Sequence, residues 1–231
     1  MLATNHSSLL FEGSAACRKL TSDLGLSFGL TGGVACGKST VARYFQDLGA
    51  HIIDADRVGH DLIGPGHAAH GEIVDRFGKE ILDPGGRIDR KKLGPKVFAD
   101  PQQLRALDAI LHPRIIAHMR DLAAEHRKRN PRAVVIIDAP LIFETGMDGT
   151  LYKVMVVWCR PEQQLERLMT KTGISREEAE QRIKAQMPLE EKRGRADYLI
   201  DCSGTLEESR AQAKGLYTEL WRIVEEAHGG E

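Results

Sequence analysis

The segment from Gly32 to Ser39 carries glycines, a lysine and a serine at a spacing that suits phosphate binding. Its sequence, GGVACGKS, fits the pattern G-x-x-x-x-G-K-[ST] at every fixed position. In this pattern the glycines let the backbone turn with its N–H groups inward, and the following helix adds partial positive charge. We therefore predict a P-loop in which Lys38 reaches the β- and γ-phosphates of a nucleotide and the Ser39 hydroxyl ligates Mg²⁺.

The other positions of the loop complete the expected nucleotide site. They are Gly33, Ala35, Cys36, Gly37 and Thr40. Thr40 is expected to contact the α-phosphate, and inward N–H groups would lower the pKa of the Cys36 thiol. A tolerated small residue is a better interpretation of Cys36 than a redox switch. For the whole segment, the alternative is a glycine turn followed by a helix-capping serine.

Carboxylates follow two of the predicted strands, at the sheet edge where ligands of parallel sheets bind. Asp54 and Asp56 end the second strand, and a carboxylate there accepts the proton of a substrate hydroxyl. Asp138 follows the apolar run 133–137, the position of a Walker-B acid that orients Mg²⁺ directly or through water. Glu144 is a second candidate for that region. The alternatives are a helix cap at Asp56 and a capping or turn role for Asp138.

A run of cations between residues 173 and 195 is interpreted as a mobile lid. Its members are Arg176, Arg182, Lys184, Lys192, Arg193 and Arg195. Phosphoryl transfer needs cations on the migrating charge and needs water excluded, and lids supply both. The alternative is a solvated helix face.

Strands that alternate with helices must position these residues. Apolar runs predict strands at 26–31, 51–54, 133–137, 154–158 and 198–200. Helical spacing predicts helices at 39–48, 57–75, 89–98, 101–128, 161–171 and 205–227. The second of these has a break at 64–66, and the fourth is interrupted at His112-Pro113. One more helix is expected to begin with a capping box at Ser175 and to end at Pro188. This alternation predicts an α/β fold, a three-layer α/β/α arrangement around a parallel sheet.

The helical stretch between the second and third strands is too long for one crossover connection. We expect it to form an inserted substrate lobe over the carboxyl ends of the strands. The predicted organisation has a tail without regular structure at 1–25 and a domain at 26–228. Within that domain the core comprises 26–56, 130–172 and 196–228, the lobe 57–129, and the lid 173–195.

The amino-acid composition and net charge of the chain limit the kinds of molecule that it is expected to bind. The chain has 231 residues, 42% hydrophobic and 28% charged, with a formal net charge of −1. These values exclude wholesale disorder, and the balanced charge argues against nucleic acid or an anionic membrane as partner. No apolar run approaches the roughly 20 residues of a membrane span. We expect a monomer or a weak homo-oligomer.

The cysteines indicate a reducing compartment. None of the four forms a C-x-x-C pair, and no Cys/His cluster has zinc-finger spacing. Such scattered cysteines suit the cytosol, so we expect a cytoplasmic protein. His67 and His70 are interpreted as part of a solvated loop rather than as metal ligands.

Taken together and in order, these segments resemble the dephospho-CoA kinase family over roughly residues 26–225. The resembling segments are GLTGG (29–33) before the P-loop, IDAD (53–56) with His60, IDRKKL (88–93) followed by Val97-Phe98, LHPRI (111–115), DAPLIFE (138–144) and the run 175–186. Of these segments, only the P-loop is a specific motif when each segment is considered by itself.

The resemblance implies that ATP phosphorylates the ribose 3′-hydroxyl of dephospho-CoA, the last step of coenzyme A synthesis. It implies a nucleoside-monophosphate-kinase-like core, a helical CoA-binding lobe near 57–115 and a lid near 170–195. Asp56 would be the general base, supported by Asp54, and Arg176 and Arg182 would be lid arginines on the ATP side. Catalytic roles are therefore expected of Asp56, Lys38, Arg176 and Arg182. Substrate contacts are expected of Asp54, Asp56, His60, Leu93, Phe98 and His112.

One departure from the family pattern is visible. The family often has Asp-Asn-x-Gly after its last strand, near the adenine, whereas this chain has DCSG at 201–204. The change leaves adenine contacts to backbone groups.

Three other functions fit parts of the sequence. The first is a different small-molecule or nucleotide kinase on the same core. The second is a regulatory GTPase, because 83–86 and 201–204 both fit D-x-x-G, although the chain has no Asn-Lys-x-Asp for guanine. The third is a P-loop protein that binds nucleotide without catalysis.

Overall fold

A computed structural model describes residues 24–229, so most of the expected tail at 1–25 lies outside the described residues. The strands are β1 (Ser27–Gly32), β2 (His51–Asp54), β3 (Val135–Asp138), β4 (Lys153–Trp158) and β5 (Tyr198–Asp201). The α-helices are α1 (Lys38–Asp47), α2 (Ala55–Leu62), α3 (Ala68–Phe77), α4 (Arg90–Phe98), α5 (Pro101–Arg129), α6 (Pro161–Thr172), α7 (Arg176–Lys184), α8 (Leu189–Arg195) and α9 (Leu206–His228). Short 3₁₀ turns cover Lys79–Ile81 and Met147–Thr150.

The strands form one parallel sheet in the order β2-β3-β1-β4-β5, which confirms the predicted α/β fold. Strand β1 is central, and its register pairs Leu30 with Asp138 on one side and Gly32 with Val157 on the other. The loop after Gly32 therefore leaves the sheet beside the end of β3, which is where Asp138 stands.

The core of the sheet is continuous because its inner strands are apolar on both faces. All six residues of β1 are buried, and so are the four middle residues of β4. Helix α1 contributes Val41 and Phe45 to the same cluster, and α9 contributes Ala213 and Leu220. This packing fixes the ends of the strands that carry the candidate site.

The capping box predicted at Ser175 is confirmed, since its hydroxyl accepts the Glu178 N–H and the Glu178 carboxylate accepts the Ser175 N–H. The predicted end of that helix at Pro188 is wrong. The helix ends at Lys184, and Pro188 instead precedes the first turn of α8. Proline disfavours helical geometry in the residue before it and suits the start of a helix, so the chain makes two short helices.

The predicted interruption at His112-Pro113 is also wrong, because α5 runs through both residues. Proline removes one N–H donor from a helix interior. The carbonyl that loses its partner is that of Ala109, whereas the Arg114 guanidinium donates to the next carbonyl, that of Ile110, over 2.6 Å. The loss of a single backbone hydrogen bond leaves the other hydrogen bonds of this 29-residue helix intact.

The chain divides into two compact units. One comprises the described residues up to Ile52 and from His126 onward, and the other is Ile53–Glu125. The second unit, called the lobe here, has its own apolar cluster that includes Ile73, Ile81 and Val97. In it the His70 ring lies 2.8 Å from the carbonyl oxygen of Gly86, a structural contact.

None of the helices in residues 24–229 combines the length and apolar composition that a membrane crossing needs.

Candidate active site

The P-loop has the conformation that its glycines allow. A Cβ at Gly32 would lie 2.5 Å from the carbonyl oxygen of Val157, so only glycine permits this approach of β1 to β4. Gly37 has a φ of 102°, and Ala35 has a φ of 61° although it carries a side chain. The Cys36 N–H donates to the carbonyl of Gly33 over 3.2 Å and closes the turn around Ala35.

The loop leads directly into α1. The N–H groups of Thr40 and Val41 donate to the carbonyl of Gly37 over 2.9 and 3.1 Å and form the first helical turn. Lys38 and Ser39 are the first two residues of this helix, and Ser39 is exposed. The partial positive charge of a helix N-terminus therefore lies at the loop.

Two glutamines hold the middle of the loop, and the sequence pattern does not reveal them. The Val34 N–H donates to Oε1 of Gln186 over 3.0 Å, and Nε2 of Gln164 donates to the Val34 carbonyl, also over 3.0 Å. Gln164 is almost fully buried. Both partners lie more than 100 residues along the chain from Val34, so no local signal identifies them.

Lys38 and Asp138 come together as an ion pair, as the register of β1 and β3 requires. Asp138 is largely buried at the end of β3, and Ser39 follows Lys38 in α1. A carboxylate and a hydroxyl at this place are hard oxygen donors, which Mg²⁺ prefers. Among the described residues no three His, Cys, Asp or Glu side chains cluster as metal ligands.

Glu144 and Lys192 have a structural partnership that the sequence did not predict. The Lys192 ammonium has no exposed surface and lies 2.7 Å from Oε1 of Glu144 and 2.7 Å from the carbonyl oxygen of Pro140. The same Glu144 oxygen accepts the Met187 N–H over 3.0 Å. Lys192 is therefore not a cation that faces phosphate, and the charge of Glu144 is already paired.

The other cations of α8 also take part in folding. The Arg193 guanidinium lies 5.0 Å from the ring centroid of Trp158, and Arg195 pairs with Asp148 over 2.9 Å. Such contacts anchor a helix to the core. Lys192 is therefore not one of the cations that the interpretation of the run 173–195 requires, and the roles of Arg193 and Arg195 in a lid stay a prediction.

The two predicted lid arginines lie on α7 but are not side by side. Arg176 begins the helix, pairs with Glu180 over 3.0 Å and lines a cavity of about 520 Å³ against α6. Arg182 is exposed in the last turn. Six residues of helix separate the two side chains by about 120° around the axis. The structure does not bring either guanidinium together with the P-loop lysine.

The lobe contains a second cavity, of about 490 Å³. Its residues are Ala55, Asp56, Gly59, Ile63, Ile73, Arg90, Leu93, Gly94, Val97, Leu107, Leu111 and Ile115. Two of the predicted substrate residues, Asp56 and Leu93, line it together. Arg90 is the second charged residue of the lining, and our interpretation of the sequence missed its role. The sequence feature that could have identified Arg90 is its position at the start of the helix that also contains Leu93.

The remaining predicted lobe residues differ in position. Asp54 caps α2, because its carboxylate accepts the Arg57 N–H over 3.0 Å, so the cap lies at Asp54 and not at Asp56. His60 is exposed in the last turn of α2, and His112 lies 3.7 Å from Asp108 on α5. Neither histidine is among the described residues that line the cavity. The side chain of Phe98 lies outside the described part of the structure.

The loop that departs from the family pattern packs against the P-loop. Cys202 is buried, with its sulfur 3.6 Å from where a Cβ on Gly37 would lie. Its carbonyl accepts from Arg167 over 2.9 Å, and the Ser203 carbonyl accepts from Gln163 over 3.0 Å. These backbone oxygens are therefore already bonded to side chains of α6.

The prediction of a lowered pKa for Cys36 is wrong. Its sulfur lies 3.2 Å from the sulfur of Cys159, and both side chains have no exposed surface. The hydrogen bond with Cys159, followed by burial, raises the pKa of Cys36 above that of an ordinary thiol. Inward N–H groups do not outweigh these two effects.

Comparisons with known proteins identify the family of the chain. A family model described as dephospho-CoA kinase matches residues 26–208. The dephospho-CoA kinase of Carboxydothermus hydrogenoformans is 47% identical over 184 residues, which are 80% of this chain and 89% of that protein. The solved structure of TT1252 from Thermus thermophilus matches with a TM-score of 0.70 and 35% identity, over 84% of this chain and 97% of that one. A solved dephospho-CoA kinase from Campylobacter jejuni matches with a TM-score of 0.64 and 29% identity, over 85% and 97%. The chain therefore belongs to the dephospho-CoA kinase family.

Proposed function

We propose that this protein transfers the γ-phosphoryl group of ATP to the ribose 3′-hydroxyl of dephospho-CoA and releases coenzyme A and ADP. The observation that carries the proposal is the lobe cavity, whose apolar walls hold one carboxylate, Asp56, and one guanidinium, Arg90. An acceptor with an alcohol, a diphosphate and an apolar arm needs this combination of groups. Membership of the family supports the same substrate.

The donor half of the reaction rests on the P-loop. Lys38 binds the β- and γ-phosphate oxygens, and the loop N–H groups and the α1 N-terminus add positive potential. Ser39 and Asp138 would hold Mg²⁺. When bound, this ion would neutralise part of the negative charge of the phosphates. The ion pair between Lys38 and Asp138 supports the proposal that both residues act at the phosphates.

The acceptor half rests on Asp56. Its carboxylate takes the proton of the 3′-hydroxyl while that oxygen forms a bond to Pγ and the bond from Pγ to the leaving oxygen of ADP breaks. Asp54 supports Asp56 by capping α2, which fixes the first turn where Asp56 stands. Arg90 pairs with the diphosphate of the acceptor, and Arg176 and Arg182 supply lid cations on the ATP side.

The cytosol is the expected compartment in this proposal. Cys36, Cys159 and Cys202 are free thiols in the described structure. Free thiols persist where thioredoxin and glutathione keep the compartment reducing.

A comparison of acceptors tests the proposal. ADP release from ATP is measured with dephospho-CoA, AMP, adenosine or pantetheine as acceptor, and a reaction without acceptor gives the background. We expect kcat/KM for dephospho-CoA to exceed that for each other acceptor by at least about 10²-fold, because only it engages both charged groups and the apolar walls. Equal turnover with AMP and dephospho-CoA would contradict the proposal.

A further inference from the structure

Two cysteines meet beneath the P-loop although 123 residues separate them in the chain. Cys36 belongs to the loop itself, and Cys159 directly follows β4. Their sulfur atoms lie 3.2 Å apart, and neither side chain has exposed surface. The central position of β1 beside β4 produces this contact, because each strand delivers one of the two thiols at the same edge of the sheet.

The pKa values of the two thiols shift in opposite directions. The hydrogen bond between them lowers the pKa of Cys159, and the charge of Arg167 acts in the same direction against the effect of burial. The pKa of Cys36 is raised by the same hydrogen bond and by burial. The thiolate is the nucleophile in thiol chemistry, so these directions favour Cys159 as the thiol that is oxidised first, and the contact between the sulfur atoms lets Cys36 react with the product.

We propose that Cys36 and Cys159 form a dithiol modification site, which hydrogen peroxide oxidises to a disulfide that impairs nucleotide binding by the P-loop. Peroxide is the chosen oxidant because it is about the size of water and reaches thiols that larger disulfide reagents do not. Geometry places the two sulfur atoms in contact before any reaction.

The reaction balances in two steps. The Cys159 thiolate attacks one peroxide oxygen, the O–O bond breaks, and hydroxide leaves and takes up a proton to give water. The Cys36 sulfur then attacks the sulfur of the resulting sulfenic acid, the S–S bond forms, and the S–O bond breaks. The second water carries away the proton of Cys36. The dithiol loses two electrons, and peroxide accepts them.

The disulfide would change the shape of the loop. The sulfur atoms must move from 3.2 Å to the roughly 2 Å of an S–S bond. Cys36 stands between Ala35 and Gly37, whose positive φ values define the turn. A displacement of about 1 Å in a group that positions substrate is enough to reduce a rate about 10²-fold. We therefore expect at least about tenfold weaker ATP binding.

The experiment treats the full-length protein with hydrogen peroxide, without and with a saturating concentration of ATP, and measures two properties. Calorimetric titration gives the Kd for ATP, and non-reducing peptide mapping identifies the linkage. Trypsin releases Cys36 in peptide 20–38, Cys159 in 154–167 and Cys202 in 196–210. We expect a covalent link between 20–38 and 154–167, a Kd at least about tenfold higher, and reversal of both by dithiothreitol. Bound ATP should slow the linkage.

Two variants separate the site from general oxidation. Cys159→Ala should keep its affinity for ATP after peroxide treatment, whereas Cys202→Ala, a matched change at the third buried thiol beside the loop, should lose affinity as the wild type does. Peptide mapping of the wild-type protein tests for the Cys36–Cys159 link even where one of the variants fails to fold. A link between 20–38 and 196–210, no link at all, or equal loss of affinity in Cys159→Ala and the wild type would overturn the proposal.

Discussion

Arg90 and Asp56 stand apart from their surroundings in the lobe cavity, because every other residue of its lining is aliphatic or glycine. A guanidinium can bind phosphate oxygens bidentately, and the exposed side chain of Arg90 lines the cavity. In the proposed reaction Arg90 therefore binds the acceptor, and this role is separable from the proposed role of Lys38 at the donor.

Replacing Arg90 tests this assignment. Arg90→Met should raise the KM for dephospho-CoA about tenfold to a hundredfold and leave the KM for ATP within about twofold, since a hydrogen bond to a charged group contributes roughly 1.5–3 kcal/mol. Initial rates with each substrate varied in turn give both constants. Lys91→Met, a loss of the neighbouring exposed charge outside the cavity lining, is the control and should match the wild type. An unchanged KM for dephospho-CoA would remove Arg90 from the acceptor site.

Residues with a local signal could be predicted from the sequence, and residues with a distant partner could not. Lys38 is fixed by a contiguous motif, and Asp138 by its place after an apolar run. Gln164 holds Val34 across 130 residues, and Cys159 contacts Cys36 across 123. Such contacts depend on the order of strands in the sheet, which periodicity does not encode.

Helix α8 shows how one element combines burial with charge. Its seven residues LEEKRGR have no apolar face of the usual width, so contacts made by its cations anchor it instead. The buried Lys192 ammonium satisfies Glu144 and the Pro140 carbonyl together. The Thr31 hydroxyl also donates to the Pro140 carbonyl, over 3.0 Å, so the same oxygen links α8 to the end of β1. The sequence suggested a solvent-facing lid here, because charge alone does not distinguish a buried ammonium from an exposed one.

Breaking this pair should be costly, whereas removing both charges should not. We expect Lys192→Met to lower the free energy of unfolding by about 1–3 kcal/mol, because the Pro140 carbonyl and the Glu144 carboxylate would lose the buried ammonium that donates to them. In the double variant with Glu144→Gln, the amide oxygen still accepts the Met187 N–H, and most of the loss should be recovered. Urea unfolding measures both values.

The matched control for the lysine change is Lys171→Met, at an exposed position on α6. It should change the free energy of unfolding by less than about 0.5 kcal/mol. A Lys192→Met protein as stable as this control, or a double variant no more stable than the single one, would show that the pair does not anchor α8.

In the proposed reaction, the donor and acceptor functions belong to different units of the chain. The P-loop, Asp138 and helices α7 and α8 lie in the unit built on the sheet, and Asp56, Arg90 and Leu93 lie in the lobe. Alternation of strands and helices was enough to predict the sheet, its parallel strands and an insertion after the second strand. The continuity of α5 through Pro113 was not predictable, because the local sequence there indicates a break, whereas one missing N–H donor leaves the rest of a 29-residue helix intact.

The most direct test of the proposed reaction follows its products by ³¹P NMR. Wild-type protein with ATP, Mg²⁺ and dephospho-CoA should form a ribose 3′-phosphomonoester one for one with ADP. Asp56→Asn should form the same product at least about 10²-fold more slowly, because the amide cannot take the proton of the hydroxyl. A phosphoryl group on another oxygen, ADP without a phosphorylated acceptor, or near-wild-type turnover by Asp56→Asn would contradict it.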